Sequence, residues 1–220
     1  PRSTPLYSSA ASDVYKRQRQ YDCDISDDDF DKIIDIALQS DFDIDSPGYQ
    51  SIVSNSGGGQ GGMFGSSYKP LIYKHPILKI LQESFLKCCW DFFKLKNSNE
   101  GCRLWFYQDW GDNPHRDGQY WHDHLNTTYG LSSIMYLKLP DEASTTGFSI
   151  NADARTVGSP DLEPDMIYLP RVTKKWFIFP NWYPHIPGKC DSGERRIVVG
   201  TDYWVSPTNG KPSLGNLDFY

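Results

Sequence analysis

Two histidines that are two residues apart, His122 and His124, lie in the segment QYWHDHL, whose composition is typical of a β-strand. Because side chains alternate along a strand, both imidazoles are expected on the same face. Two neighbouring imidazoles can occupy adjacent positions on a transition metal, and a third ligand must then come from a distant part of the chain. His185 is the candidate, because it follows FIFPNWYP, a hydrophobic strand-like run interrupted by prolines. Such a three-histidine site would leave positions open for substrate and oxygen.

Two adjacent arginines, Arg195 and Arg196, follow His185 at the start of a β-branched segment. If this segment is a strand that lines the site, one arginine points inward and the other faces solvent. A buried guanidinium needs an anion, and a bound dicarboxylate would provide one through a bidentate ion pair.

A second metal-binding pattern competes with the first. His115 and Asp117 form an H-x-D pair that would also use His185 as its third ligand. This pair lies between Pro114 and Gly118, which favour a loop over a strand. The sequence favours His122 and His124 but leaves the other set open.

The elements that must position these residues are two helices followed by many short strands. Ser26 is a good N-cap for a helix whose apolar residues recur from Phe30 to Leu38 and which ends near Gln39. A second helix begins near Pro76 and stops before Asn97. Strands are predicted at Arg103–Gln108, Gln119–Leu125, Ser132–Leu139, Phe148–Asn151, Met166–Leu169, Trp176–Phe179 and Arg195–Tyr203. This pattern predicts a mainly β, α+β fold with a sandwich or barrel core.

The domain organisation predicted from the sequence is simple. Residues 1–18 lack hydrophobic periodicity and are expected to be a non-native or disordered tail. Residues 19–220 are expected to form one domain, with a helical part at 26–97 and a β core at 102–205. The segment from Ser54 to Ser67 holds a cluster of glycines without the order of a phosphate-binding loop, so nucleotide binding is not predicted.

Composition excludes several classes of function. The formal charge of −6 argues against a nucleic-acid partner held through its phosphates. No apolar run reaches the length of about 18 residues that a membrane helix needs. The five cysteines have no disulfide-framework spacing, which predicts a reduced, cytoplasmic protein.

Two longer segments, YWHDHLNTTYGLSSIMYL and WFIFPNWYPHIPGKCDSGERRIVVGTDYWV, resemble the 2-oxoglutarate- and iron(II)-dependent oxygenases of marine bacteria and their phages. The resemblance implies a double-stranded β-helix, or jelly roll, with the N-terminal helices packed outside it. It also implies that His122 and His185 bind iron, with His124 where most of the superfamily has Asp or Glu. By the same likeness, Arg196 and Tyr136 would bind the distal carboxylate of 2-oxoglutarate.

The function that the resemblance implies is an Fe(II)/2-oxoglutarate-dependent dioxygenase, a hydroxylase acting on a small-molecule or protein substrate. His124 departs from the pattern of the wider superfamily. As a consequence, three neutral imidazoles leave the site at a charge of +2, where a carboxylate would leave +1. Two alternatives therefore stay open. One is a non-catalytic jelly-roll module that binds metal or is purely structural. The other is a three-histidine dioxygenase of the cupin type that does not use 2-oxoglutarate.

Overall fold

The computed structural model describes residues 18–39, 48–54, 71–94, 100–111, 121–124, 130–150 and 166–205. Its helices are α1 (Asp27–Gln39), α2 (Leu71–Lys74), a 3₁₀ turn (Pro76–Leu78) and α3 (Lys79–Phe93). The strands are β1 (Arg19–Asp22), β2 (Gly48–Ser54), β3 (Glu100–Asp109), β4 (Gly130–Lys138), β5 (Gly147–Ser149), β6 (Met166–Tyr168), β7 (Lys175–Pro180), β8 (His185–Ile186) and β9 (Arg196–Val205).

The strands form two antiparallel sheets, which agrees with the prediction of a β-rich fold. The larger sheet has the order β1-β7-β4-β9-β3-β2, and the smaller one has the order β6-β5-β8. A single residue pair, His122 with His185, extends the smaller sheet beyond β8. The smaller sheet thus positions two of the three predicted metal ligands.

Strand β9 shows how alternation separates two apolar clusters. Ile197, Val199 and Tyr203 pack in the cluster that also holds the buried faces of α1 and α3. Val198 lies in the other cluster, with the buried aromatic residues of β5 and β7. Since side chains alternate along a strand, Arg196 shares the face of Val198.

Both main helices pack on the larger sheet, as their patterns predict. Helix α1 begins after Ser26, whose hydroxyl accepts a hydrogen bond from the backbone N–H of Asp29 at 3.2 Å, as an N-cap does. In α3, the ring of Phe85 lies 5.5 Å from that of Trp176, and both side chains are fully buried. Truncating a ring of this kind to alanine typically costs about 3–5 kcal/mol, so this layer is a major source of stability.

Several segments differ from the sequence-based expectation. The structure adds strands β1 and β2, and β2 lies inside the segment predicted as helical. The predicted strand Gln119–Leu125 is, within its described part, reduced to one bridge at His122. The physical reason is that the backbone N–H of His124 donates to the carbonyl of Asn181 at 2.7 Å, so the segment leaves the β8 ladder after one pair.

His115 and Asp117 of the rival metal site lie outside the described residues. Apart from Ser54, the last residue of β2, the glycine-rich segment also lies outside them. Among the described residues, no helix has the length and apolar character required to span a membrane.

Candidate metal centre

The three histidines predicted as ligands come together at the edge of the smaller sheet. One ring nitrogen from each of His122, His124 and His185 lies within 4.8 Å of the others. The rings of His122 and His124 are stacked, with 5.3 Å between centroids and 17° between planes, so they project to the same side as predicted. His185 lies across from His122, with 4.3 Å between their ring centroids.

The backbone fixes the relative position of the first and last histidine. The N–H of His122 donates to the carbonyl of His185 at 3.0 Å, and the N–H of His185 donates back at 2.9 Å. This reciprocal pair brings together two residues that are far apart in sequence. The backbone positions from which the two imidazoles project are therefore fixed relative to each other.

His185 is prepared as a neutral ligand. Its Nδ1 lies 2.9 Å from the carbonyl oxygen of Tyr183, and because a carbonyl only accepts, Nδ1 carries the proton and Nε2 has the free lone pair. Burial, with a further contribution from the nearby His122 and His124, holds the pKa of His185 well below its usual value. A neutral imidazole is the form that binds metals.

The packing around His185 is aromatic. The rings of Phe148 and Phe179 lie 5.7 and 5.1 Å from its ring, and both side chains are buried. These apolar neighbours keep water from the back of the imidazole and favour its uncharged form.

His124 has a carboxylate partner instead of a carbonyl. Its Nδ1 lies 2.6 Å from Oδ1 of Asp202, which also accepts a hydrogen bond from the hydroxyl of Ser132 at 2.8 Å. The second oxygen of Asp202 accepts from Nη2 of Arg103 at 2.5 Å. Burial alone would raise the pKa of Asp202, but the opposing effects of His124, Arg103 and Ser132 outweigh it and leave the pKa lowered. Asp202 is therefore ionised at neutral pH.

An aromatic ring lies beside His124, and a cation lies over that ring. The ring of Trp105 lies 5.6 Å from the ring of His124. The guanidinium of Arg103 lies over the same Trp105 ring, 4.8 Å from its centroid, in a cation–π contact.

Arg196 points inward, as one of the two arginines was predicted to do, and is 1% exposed. Its Nη1 donates to the carbonyls of Ser144 and Gly188 at 2.8 and 2.6 Å, and its Nη2 donates to the buried carboxylate of Asp109 at 3.0 Å. Its Nε has no hydrogen-bond partner among the described residues. Arg195 is half-buried and not fully in solvent, because its guanidinium lies 5.2 Å from the ring centroid of Trp110.

Tyr136 is fully buried on strand β4. Its hydroxyl donates to Oγ1 of Thr146 at 3.0 Å and accepts from the backbone N–H of Thr146 at 2.7 Å. Burial raises the pKa of Tyr136, and the positive charge of Arg196 acts in the opposite direction. The hydroxyl is therefore neutral and lies within electrostatic range of the guanidinium.

Two acidic residues of this region, Asp109 and Asp202, were not predicted from the sequence. A signal for Asp202 was present, because it lies six residues after Arg196 on the same strand and must share its face. Asp109 pairs with Arg196 across β3 and β9, and only the register of the two strands reveals that contact.

No protein-family model and no curated protein matches this chain. Solved structures do share its fold. The non-heme alpha-ketoglutarate-dependent epimerase SnoN from nogalamycin biosynthesis aligns with a TM-score of 0.60 and 11% identity, covering 94% of this chain and 90% of SnoN. An oxidoreductase of the 2OG-Fe(II) oxygenase family from Burkholderia pseudomallei aligns with a TM-score of 0.59 and 11% identity, covering 89% and 88% of the two chains.

A viral collagen prolyl hydroxylase from Paramecium Bursaria Chlorella virus-1, solved as a 2OG complex, is a more distant neighbour in structure. Its TM-score is 0.51 with 11% identity, over 87% of this chain and 97% of the hydroxylase. At such low identities these likenesses establish the fold.

The residues present fit a divalent transition metal. Imidazole nitrogen is a suitable ligand for iron, zinc, copper and nickel. The hydrogen bonds of His124 and His185 use Nδ1, which leaves Nε2 of each ring available as a ligand atom. The donor set is therefore that of a three-histidine metal centre.

Proposed function

We propose that this protein is an Fe(II)- and 2-oxoglutarate-dependent dioxygenase whose two sheets form a double-stranded β-helix. The observation that carries the proposal is the convergence of His122, His124 and His185, combined with an inward-facing, buried Arg196 on the strand that follows. The neighbours in fold include enzymes whose descriptions name alpha-ketoglutarate or 2OG-Fe(II) chemistry.

His122, His124 and His185 hold the iron, the last two through Nε2. Bound iron supplies the activation of O₂, which is coupled to decarboxylation of 2-oxoglutarate to succinate and CO₂ and to oxidation of a C–H bond in the primary substrate. The chain contributes the neutral imidazole of His185, hydrogen bonds that orient His124 and His185, and a boundary that excludes water, formed by the buried rings of Phe148 and Phe179.

Arg196 and Tyr136 bind the distal carboxylate of the cosubstrate. Arg196 has an unused Nε–H donor in a buried position, and a carboxylate is the acceptor that suits a guanidinium. The Tyr136 hydroxyl donates its proton to Thr146, so it would have to turn that O–H away from Thr146 to donate a hydrogen bond to the carboxylate.

One observation favours a second candidate, a three-histidine metal dioxygenase that does not use 2-oxoglutarate. Arg196 already forms an ion pair with the carboxylate of Asp109 at 3.0 Å. A guanidinium neutralised in this way attracts a further anion less strongly. In this case the metal site would be the same but Arg196 would serve the fold.

We also propose a cellular compartment, a source and a substrate class for the protein. All five cysteines are buried and free, which supports a reducing, cytoplasmic compartment. The sequence resemblance supports an origin in marine bacteria or their phages. We further propose that residues 19–220 form one domain and that its substrate is a small molecule or a protein.

Turnover in the absence of the primary substrate tests the proposal. Purified protein with Fe(II), O₂ and 2-oxoglutarate should release succinate, and His185→Ala should abolish that release. His75→Ala is the matched control, because His75 precedes the 3₁₀ turn and its side chain makes no capping hydrogen bond. Iron-dependent O₂ consumption that does not require 2-oxoglutarate would instead support the second candidate. Equal succinate release by wild type and His185→Ala would contradict both.

A further inference from the structure

The buried carboxylate of Asp202 contacts His124, the histidine at the position where the resemblance implies a carboxylate ligand. Nδ1 of His124 and Oδ1 of Asp202 are 2.6 Å apart, a short contact, and hydrogen bonds with an ionised partner are shorter than neutral ones. Asp202 is 7% exposed, so little water competes for this contact. The acid is therefore positioned to act on His124.

We propose that Asp202 is a positioning residue that brings to the metal centre, through His124, the negative charge that a directly bound carboxylate would otherwise supply. The inference rests on the metal site of the proposed function. A carboxylate that accepts from Nδ1–H fixes the imidazole tautomer, orients its Nε2 and makes that nitrogen a stronger donor to a metal. The negative charge would then lie on Asp202, which is hydrogen-bonded to a ligand, and not on an atom bound directly to the metal.

The two histidines with known partners differ in a way that supports this role. Nδ1 of His185 faces the carbonyl oxygen of Tyr183, whereas Nδ1 of His124 faces the carboxylate of Asp202. Each contact fixes the tautomer of its imidazole, but only the contact with Asp202 places a negative charge beside the ring. A purely structural requirement for orientation would be met by a carbonyl in both places.

The remaining contacts of Asp202 hold its carboxylate in place. Ser132 donates to Oδ1 at 2.8 Å from the neighbouring strand β4, and Arg103 donates to Oδ2 at 2.5 Å from β3. Three strands thus determine where the carboxylate lies. Arg103 also offsets part of its charge, and because the Arg103 side chain is 40% exposed, it can be replaced without opening the core.

Binding of Co(II) alone, followed by its visible spectrum and by chelator competition, tests the proposal without 2-oxoglutarate or turnover. Asp202→Asn should lower Co(II) affinity about 10- to 100-fold, the usual effect of losing such a partner of a metal-bound histidine. Thr201→Val is the matched control. Thr201 is buried beside Asp202 but points to the opposite face of β9, and its hydroxyl has no partner among the described residues.

The decisive comparison repeats Asp202→Asn in a His124→Asp background. There the new carboxylate would face Asp202, and two like charges at short range disfavour each other. Asp202→Asn should therefore raise Co(II) affinity in this background, opposite to its effect in wild type. A loss of similar size in both backgrounds would overturn the proposal, since it would mean that Asp202 binds the metal directly or only supports the fold.

A surface variant keeps the test decisive if the buried variants fold poorly. Arg103→Gln leaves the carboxylate of Asp202 less neutralised and should raise Co(II) affinity by about threefold or more. An unchanged or lower affinity would contradict the proposal.

The outcomes separate this inference from the proposed function. If wild type binds no Co(II), the metal site itself fails, and the inference fails with it. If the effect of Asp202→Asn reverses between backgrounds but Fe(II) and 2-oxoglutarate give no succinate, the role of Asp202 stands and the dioxygenase does not.

Discussion

Replacing Asp109 by asparagine would test the buried ion pair with Arg196 more cleanly than any truncation. Both side chains are 1% exposed, and the pair is joined by a 3.0 Å contact between Nη2 and Oδ2. Asparagine keeps the shape and one acceptor oxygen but removes the negative charge. The guanidinium of Arg196 would then remain buried with only neutral acceptors, the carbonyls of Ser144 and Gly188.

The expected loss of stability follows from these contacts. Removing one partner of a buried ion pair typically costs about 3–5 kcal/mol. Since Arg196 keeps two carbonyl acceptors and asparagine offers a third, we expect the lower end, about 3 kcal/mol. With the urea m-values of about 1–3 kcal/mol/M found for small proteins, this corresponds to a fall in the unfolding midpoint of about 1–3 M. Glu142→Gln, at an exposed carboxylate, is the control.

The same variant has a second expected effect, on cosubstrate binding. In the proposed function, Asp109 and the distal carboxylate of 2-oxoglutarate share one guanidinium. Asp109→Asn should therefore raise the affinity for 2-oxoglutarate about tenfold, a gain of about 1.4 kcal/mol, even though the free protein is less stable. Unfolding within about 1 kcal/mol of wild type would refute the energetic argument. Unchanged 2-oxoglutarate affinity would refute the role of Arg196 as the anchor.

Two further predictions concern packing and reactivity. A Cβ atom at Gly200 would lie 2.4 Å from the ring of Trp105, so Gly200→Ala must displace that ring. We expect the free energy of unfolding, measured in urea, to fall by about 1–3 kcal/mol. The control is Gly193→Ala, whose new Cβ atom meets nothing within 4 Å and should leave the stability nearly unchanged. Equal stabilities would contradict this. Burial, and to a smaller extent the nearby Cys23, raises the pKa of the Cys88 thiol to about 12. Because the thiolate is the reactive form, the rate at which Cys88 of the native protein reacts with thiol reagents should increase about tenfold per pH unit between pH 8 and 11. Rapid reaction of native Cys88 at pH 8 would contradict the burial.

Local patterns were sufficient to predict much of this fold. The alternation in RRIVVGTDYWV predicts the strand and one inward-facing arginine, without saying which of the two, and the spacing from Phe30 to Ala37 predicts the buried face of α1. The H-x-H pattern correctly predicts that two imidazoles project to one side. In each case the information lies within one turn or a few strand residues.

The rest depends on contacts that join distant segments. The pairing of Asp202 with His124 spans 78 residues, and that of Asp109 with Arg196 spans 87. Such contacts follow from strand order and register, which no local pattern specifies. The short strand β1 was missed for the same reason, because Arg19–Asp22 has no apolar alternation and is a strand only through its pairing with β7.

The most direct test of the metal centre is an anaerobic titration of the protein with Fe(II) and 2-oxoglutarate, followed by visible absorption. The wild type should develop a metal-to-ligand charge-transfer band that requires both components. His122→Ala and His185→Ala should lose the band, and His115→Ala should keep it. Iron binding without the band in wild type, or a band lost in His115→Ala and kept in His122→Ala, would contradict the account.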